Sequence, residues 1–330
     1  MPYVIEELAD DLFRIELSKS KGLADPIGRP NNVYLIRSRY PALIGAGHPT
    51  QFQKLSDALR ELGVSPSELE RVIHTSWDVD VLAGASNFAD VDHFVLSPNM
   101  VEPLDYESLV DAIRRDILEV ADALVASMPD AEFDSERIKR VLRAYYPPAP
   151  RHLKFIPIRG GHILRASSLE LEVLATDGPG PGHCCLYEPR RKWLFSGDFA
   201  LMGLPEMLTE AQAYLISLER LVTLDVGLLL PTHGAPDNQG RWTLARAFRF
   251  FNNFLSSVPT ALVRAPTILE FIEQDLGHRP EDLVELVFAC RRYRVLFEEL
   301  VRLRAIAAEG SGLERRYGTD VDDPRKGLRR

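Results

Sequence analysis

The sequence is poor in cysteine, and its cysteines form no pattern typical of metal or redox motifs. It contains three, Cys184, Cys185 and Cys290, of which two are adjacent and none belongs to a C-x-x-C pair. Disulfide frameworks of secreted proteins use an even number of spaced cysteines. We therefore expect no disulfides and a reducing, cytoplasmic compartment.

Long apolar runs and signal-peptide features are also lacking. No stretch reaches the roughly 18–20 apolar residues that a membrane-spanning helix needs. Residues 1–17 carry early acids and lack the basic start and apolar run of a signal peptide. The sequence therefore predicts no association with a membrane.

A basic face is the third missing feature. Asp and Glu number 48 against 39 Lys and Arg, which gives a net charge of −9. Proteins that bind nucleic acids need clustered Lys and Arg along the phosphate backbone. Here such a cluster occurs only within 315–330, where Asp320, Asp322 and Asp323 interrupt it. We expect a small-molecule substrate and no nucleic-acid partner.

The residues that are present suit a globular α/β protein, since 45% of the 330 residues are apolar. Short apolar runs between turn residues predict strands at 4–6, 12–17, 32–37, 42–44, 72–73, 154–158, 169–174, 184–187, 193–195 and 227–230. Helical spacing of apolar residues predicts helices at 52–62, 109–124, 134–146 and 281–309. Two strand-rich halves, each followed by helices, predict two packed sheets with helices outside.

Capping residues and prolines mark further helix ends. We expect Asp134 to be the N-cap of the helix over 134–146, which Pro147, Pro148 and Pro150 end. Thr209 with Gln212, and Thr267 with Glu270, have the spacing of capping boxes that open helices. We divide the chain into a domain of residues 1–236, with a helical insertion over about 102–148, and a C-terminal helical region of residues 237–330. The helical regions also offer surfaces for a homodimer.

Polar residues that could carry chemistry cluster after four of the predicted strands. The segments are HTSWDVDVLAG (74–84), TDGPGPGH (176–183), SGD (196–198) and THG (232–234). Each combines His or Asp with glycine-rich turn chemistry, which places side chains on loops at a sheet edge. A metal site needs several such side chains converging from different loops.

The candidate metal ligands in these segments are Asp78, Asp80, His183, Asp198 and His233, with His74 as a further candidate. Each also has an ordinary structural interpretation. A lone histidine at a strand end is often structural, and an aspartate beside glycine is often a turn former. The four segments together favour a site more strongly than any one residue does.

The order of these segments resembles the metallo-β-lactamase superfamily. That family carries HxHxDHxxG, then TPGHTPGH, then SGD, then a late GHG, and this chain has SWDVDVLAG, TDGPGPGH, SGD and THG. The resemblance covers about residues 4–236. It implies a four-layer αββα sandwich, here with a helical insertion and a C-terminal helical appendage.

The first motif departs from the family pattern. Alignment on Gly84 places Ser76, Asp78, Asp80 and Val81 at the four ligand positions, so only Asp80 matches the family's residue. A second register, which begins at His74, remains open. On either register a histidine that serves the second metal is missing.

The resemblance implies a metal-dependent hydrolase that acts on an ester, thioester or phosphodiester through a metal-activated water. The altered ligand set implies one divalent ion rather than two, either zinc or, given its many oxygen ligands, iron or manganese. Asp80 would orient the water, or Asp78 on the other register. Two alternatives stay open: a regulatory or binding pseudoenzyme that holds no metal, and an iron protein of the flavodiiron kind.

Overall fold

A computed structural model of the chain describes residues 3–18, 30–97, 106–128, 135–146, 153, 155–180, 182–199, 203–205 and 207–319. Its first sheet has seven strands in chain order, antiparallel from β1 to β4 and parallel from β4 to β7. The strands are β1 (Tyr3–Ala9), β2 (Leu12–Leu17), β3 (Asn31–Ile36), β4 (Ala42–Ile44), β5 (Arg71–Ile73), β6 (Asp92–Leu96) and β7 (Phe155–Ile158).

The second sheet has five strands in the order β12-β11-β10-β9-β8. Neighbours run antiparallel except β11 and β12, which run parallel and therefore need a crossover helix between them. The strands are β8 (Ile163–Ala166), β9 (Leu169–Ala175), β10 (Cys184–Glu188), β11 (Trp193–Gly197) and β12 (Leu228–Pro231).

Helices lie between these strands and after them. They are α1 (Phe52–Glu61), α2 (Val79–Leu82), α3 (Tyr106–Ser127), α4 (Ser135–Tyr145), α5 (Ala211–Leu221), α6 (Gly240–Ala261), α7 (Ile268–Leu276) and α8 (Leu283–Arg302). Helices α3 and α4 form the predicted insertion between β6 and β7. The proposed N-cap of α4, Asp134, lies outside the described residues. No helix in the described ranges is long and apolar enough to cross a membrane.

The layers follow from the alternation of side chains along the strands. Tyr34 and Ile36 of β3 lie in the core between the sheets, whereas Val33 and Leu35 pack towards α1. Along β10, Cys184 lies between the sheets, and its neighbour Cys185 faces the helices outside the second sheet. The order helix, sheet, sheet, helix confirms the four-layer αββα fold.

The capping box predicted at Thr209 is wrong. The N-cap of α5 is Glu210, whose side chain makes no cap. The Thr209 hydroxyl donates instead to the carbonyl of Gly178 at 3.0 Å. The buried carboxylate of Glu299, on α8, accepts the N–H groups of Ala211 and, at 2.9 Å, of Gln212. A cap from a distant helix leaves no local pattern in the sequence.

The predicted helix over 281–309 also ends too late. Helix α8 stops at Arg302, and the chain turns into a two-stranded sheet of β13 (Ala307–Glu309) and β14 (Arg316–Gly318). Local helix propensity favours the alanines near 305–308. Tertiary packing overrides it, because the turn buries Ile306 and places Tyr317 against Phe297 of α8.

Candidate functional site

Polar side chains from the four predicted segments meet at one edge of the two sheets. A cleft of about 860 Å³ is lined by residues that follow β5, β9, β11 and β12, among them Asp78, Asp80, Pro179, Asp198 and His233. Four of the six candidate ligands therefore line one cavity. His183 and His74 lie beside it without lining it.

Asp80 is held by the turn that joins β5 to α2. The Asp78 carboxylate caps this short helix by accepting the Asp80 N–H at 3.0 Å. The side chain of Asn31 donates to the Asp80 carbonyl at 3.0 Å. The Asp80 carboxylate is nearly buried, and its Oδ2 accepts from the hydroxyl of Tyr145 at 3.3 Å.

His233 faces the same carboxylate oxygen. Its Nε2 lies 3.9 Å from Asp80 Oδ2. Its Nδ1 lies 3.0 Å from the carbonyl of Pro30, which can only accept, so Nδ1 carries the hydrogen in neutral imidazole. Nε2 then keeps its lone pair, which is the state needed in a metal ligand or a general base.

Asp198 accepts a hydrogen bond from Ser76, which takes the place of a motif histidine on either register. The Ser76 hydroxyl donates to Asp198 Oδ2 at 2.5 Å. The other oxygen, Asp198 Oδ1, is buried and has no hydrogen-bond partner in the described part of the chain. Buried carboxylate oxygens are normally satisfied, so this atom points to a missing donor or cation.

Both ring nitrogens of His183 are engaged. Nδ1 lies 3.0 Å from the Thr176 carbonyl, and Nε2 accepts the N–H of Asp198 at 3.0 Å. Gly197 permits this approach, since it has φ +59° and a Cβ there would lie 2.4 Å from His183 Nε2. Burial lowers the pKa of His183 to about 4, so the ring is neutral and orders the Asp198 turn.

His74 pairs with another histidine inside the protein. Its Nδ1 lies 3.1 Å from the Val81 carbonyl and its Nε2 lies 3.0 Å from Nδ1 of His93. The two rings stack with their centroids 5.3 Å apart. Burial, followed by the charge of His93, lowers the pKa of His74 to about 3. Both ring nitrogens of His74 thus have partners inside the protein, which is typical of a structural histidine.

Helices supply the remaining walls of the cleft, and none of their residues was predicted from the sequence as part of a site. Tyr145 comes from the end of the insertion, and Phe250, Phe288 and Arg292 come from the C-terminal helices. One sequence signal was available for the first of these. Several prolines follow Tyr146 in the sequence, and because proline does not continue a helix, the sequence predicts that the helix ends near Tyr145.

A sequence profile described as the metallo-beta-lactamase superfamily matches residues 26–233, which is more than half of the chain. The chain belongs to the metallo-β-lactamase superfamily. The fold of this superfamily is of the metal-dependent hydrolase type, and its members usually bind divalent metals such as zinc.

Solved metallo-β-lactamase structures share the fold at low sequence identity. A family protein from Thermus thermophilus superposes with a TM-score of 0.69 at 19% identity, covering 95% of this chain and 100% of that one. A beta-lactamase domain protein from Burkholderia ambifaria gives the same score and identity over 96% and 93%. The HARLDQ-motif metallo-β-lactamase from Cronobacter sakazakii gives 0.52 at 13%, over 77% and 98%.

A curated protein of Aquifex aeolicus, described as uncharacterized, is 42% identical over 48 residues. The match covers 14% of this chain and 23% of that protein. The chain thus matches less than a quarter of the length of this relative, whose description assigns it no function.

The site differs from the two-metal centre that the metallo-β-lactamase motif describes. On the register that aligns Gly84, Ser76 and Val81 replace two motif histidines, and the Ser76 hydroxyl donates to Asp198. The Val81 side chain is apolar, and the lone pair of His183 already accepts a backbone N–H. These residues do not fit a second ion.

One divalent ion fits better. Two ligand atoms bound to one ion at about 2.0–2.2 Å are separated by about 3–4 Å, and Asp80 Oδ2 lies 3.9 Å from His233 Nε2. Asp198 Oδ1 offers a buried oxygen that needs a partner. Within the described ranges no three His, Cys, Asp or Glu side chains already converge on one point, so a third donor would have to move towards the pair to complete a metal site.

Proposed function

We propose that this chain is a metal-dependent hydrolase that binds one divalent ion between Asp80 and His233, with Asp198 as third donor. The observation that carries the proposal is the 3.9 Å separation of Asp80 Oδ2 and His233 Nε2 at the wall of a large cleft. The bond between His233 Nδ1 and Pro30 supports it, because metal-binding histidines usually donate their other ring N–H in this way.

A bound divalent ion would polarise the scissile group and lower the pKa of a water molecule. The chain's own residues would do the rest. The Asp80 carboxylate would orient the water and accept its proton, and Asp78 keeps Asp80 in place by capping α2. The carboxyl-rich donor set favours manganese or iron over zinc, compared with histidine-rich members of the family.

The cleft supports a small-molecule substrate with an ester, thioester or phosphodiester bond. Its volume lies within the range of about 300–1,000 Å³ that is typical of ligand pockets. Phe250 of α6 and Phe288 of α8 also line the cleft, which suits an apolar group attached to the scissile bond. Pocket residues of this kind set substrate choice on a shared fold.

A binding module without catalysis is the second candidate. The hydrogen bonds of Ser76 and His183 support it, since they satisfy Asp198 Oδ2 and both ring nitrogens of His183 without an ion. An iron protein of the flavodiiron kind is the third, and its mark would be an iron chromophore in the purified protein.

The test is metal content and uptake. Protein purified without chelator should take up one manganese, iron or zinc ion per chain in equilibrium dialysis, and Asp80→Asn with His233→Gln should abolish uptake. Loaded protein should then hydrolyse p-nitrophenyl esters, an aryl thioester or bis(p-nitrophenyl) phosphate. Protein that takes up no ion would support the binding module instead.

The matched control removes another His and Asp pair from the same cleft. Asp275 and His278 line its helical side, and Asp275 accepts the hydroxyl of Tyr293. Asp275→Asn with His278→Gln should keep one ion per chain. If both double variants lose the ion equally, binding does not depend on the Asp80 and His233 pair.

A further inference from the structure

The helical insertion reaches the candidate site through one hydroxyl group. Tyr145 is the last residue of α4, it lines the cleft, and its hydroxyl lies 3.3 Å from Asp80 Oδ2. That same oxygen faces His233 Nε2. The insertion therefore contacts the carboxylate on which the proposed ion depends.

The backbone of Tyr145 is anchored from the first sheet. His48 follows β4, is buried, and its Nδ1 accepts the N–H of Thr50. Its Nε2 must then carry the hydrogen, which it donates to the carbonyl of Tyr145 at 3.0 Å. The His48 ring also lies parallel to the Tyr145 ring, with the centroids 5.8 Å apart and 13° between the planes.

These contacts limit how the tyrosine can move. The backbone is bonded to His48 and the ring stacks on the His48 ring. The rings of Tyr146 and of Phe288 on α8 pack edge-on against it, with centroids 4.9 Å and 6.5 Å away. A side chain held on three sides directs its hydroxyl at a fixed point. That point is the Asp80 carboxylate.

We propose that Tyr145 is a positioning residue for Asp80, and that docking of the helical insertion completes the site. The hydroxyl donates to Oδ2 and fixes the rotamer of the carboxylate in front of His233. An insertion that is absent or undocked would leave Asp80 without this donor.

The test compares two adjacent tyrosines. Tyr145→Phe removes the hydrogen bond to Asp80, whereas Tyr146→Phe removes a hydroxyl that lies 3.8 Å from the sulfur of Met207. Loss of a hydrogen bond to a ligating carboxylate typically weakens metal binding about 10- to 100-fold. Manganese affinity by calorimetry should fall by that factor in Tyr145→Phe and stay within about twofold in Tyr146→Phe.

The metal measurement rests on the proposed function, so a second measurement uses metal-free protein. Urea unfolding of Tyr145→Phe, Asp80→Ala and the double variant gives their coupling. A hydrogen bond to a carboxylate should couple them about tenfold in the unfolding constant. Tyr146→Phe with Asp80→Ala should show no coupling.

The two proposals can fail separately. Metal uptake by the parent with unchanged affinity in Tyr145→Phe would overturn the role of Tyr145 alone. If the parent takes up no ion, the proposed function fails, and the coupling between Tyr145→Phe and Asp80→Ala then decides whether Tyr145 positions Asp80. Additive effects within twofold would then overturn the positioning role, and tenfold coupling would support it.

Discussion

Ser76 shows how one substitution changes the chemistry of the family motif. An imidazole at this position would offer a lone pair to a cation, whereas the hydroxyl donates to Asp198 Oδ2 at 2.5 Å. A hydrogen bond to a carboxylate is about twice as strong as one between neutral groups. Ser76 therefore holds Asp198 in place through a hydrogen bond from its own hydroxyl. The sequence indicates only that a histidine ligand is missing at this position and does not predict the new hydrogen bond.

Ser76→Ala should destabilise the protein, because it leaves a carboxylate oxygen without its donor. We expect the free energy of unfolding to fall by about 1–3 kcal/mol in urea titrations. Ser196 is the matched control, since it is equally buried and its hydroxyl has no hydrogen-bond partner in the described part of the chain. Ser196→Ala should cost less than about 0.5 kcal/mol, and equal losses in both variants would argue against a special role for Ser76.

The buried pair of His74 and His93 should make stability fall in mild acid. Burial lowers the pKa of both, that of His74 to about 3. Below about pH 6.5 these two histidines therefore take up protons in the unfolded chain but stay neutral in the folded chain. The free energy of unfolding consequently falls as the pH drops from about 6.5 towards 3. Each such histidine contributes at most about 1.4 kcal/mol per pH unit.

The measurement is the slope of unfolding free energy against pH between about 6 and 5. His74→Gln should reduce that slope by about one proton, and glutamine can still donate to the Val81 carbonyl. His278, which is exposed, gives the control variant His278→Gln, which removes an imidazole without touching the buried pair. An unchanged slope in His74→Gln would show that His74 titrates normally in the folded protein.

At the scale of elements, Glu299 links α8 to the start of α5. Its buried carboxylate accepts two N–H groups that would otherwise lack partners at a helix N-terminus. Glu299→Ala should cost about 2–3 kcal/mol and speed hydrogen exchange at residues 211–214. Glu298→Ala removes a half-exposed partner of Arg315 from the same helix and should cost less than about 1 kcal/mol.

The elements that the sequence predicted are those whose signals are local. The short apolar runs and the resemblance of the four polar segments to the metallo-β-lactamase motifs sufficed to predict the αββα fold and to place Asp78, Asp80, Asp198 and His233 at one edge. The cap of α5 was missed because its carboxylate comes from 88 residues away. Tyr145 was missed because only the packing of the insertion brings it to Asp80.

At the scale of the whole molecule, the C-terminal helices share one core with the second sheet. A chain of ring contacts runs from His183 to Phe199 at 5.1 Å, on to Tyr214 of α5 at 4.8 Å, and on to Phe251 of α6 at 4.6 Å. The helices also line the cleft. The predicted boundary at residue 236 therefore divides the chain at a point where one core continues across it.

We expect a fragment of residues 1–236 not to fold. Deleting α6 uncovers the surface against which its buried Leu244, Phe251 and Val258 pack. Burial of each such side chain contributes about 1.5–3 kcal/mol, so their loss together with that of α7 and α8 exceeds the roughly 5–15 kcal/mol that holds a domain folded. The fragment should lack near-ultraviolet circular dichroism and cooperative unfolding.

The intact chain tests the same point without truncation. Trp242 lies on α6, whereas Trp77 and Trp193 lie in the sheet region, so Trp242→Phe confines the fluorescence signal to the sheets. In this variant, urea unfolding followed by fluorescence and by far-ultraviolet circular dichroism, which reports mainly helices, should give one midpoint. Two separated midpoints would mean that the C-terminal helices unfold as an independent domain, and the boundary at 236 would then be a true domain boundary.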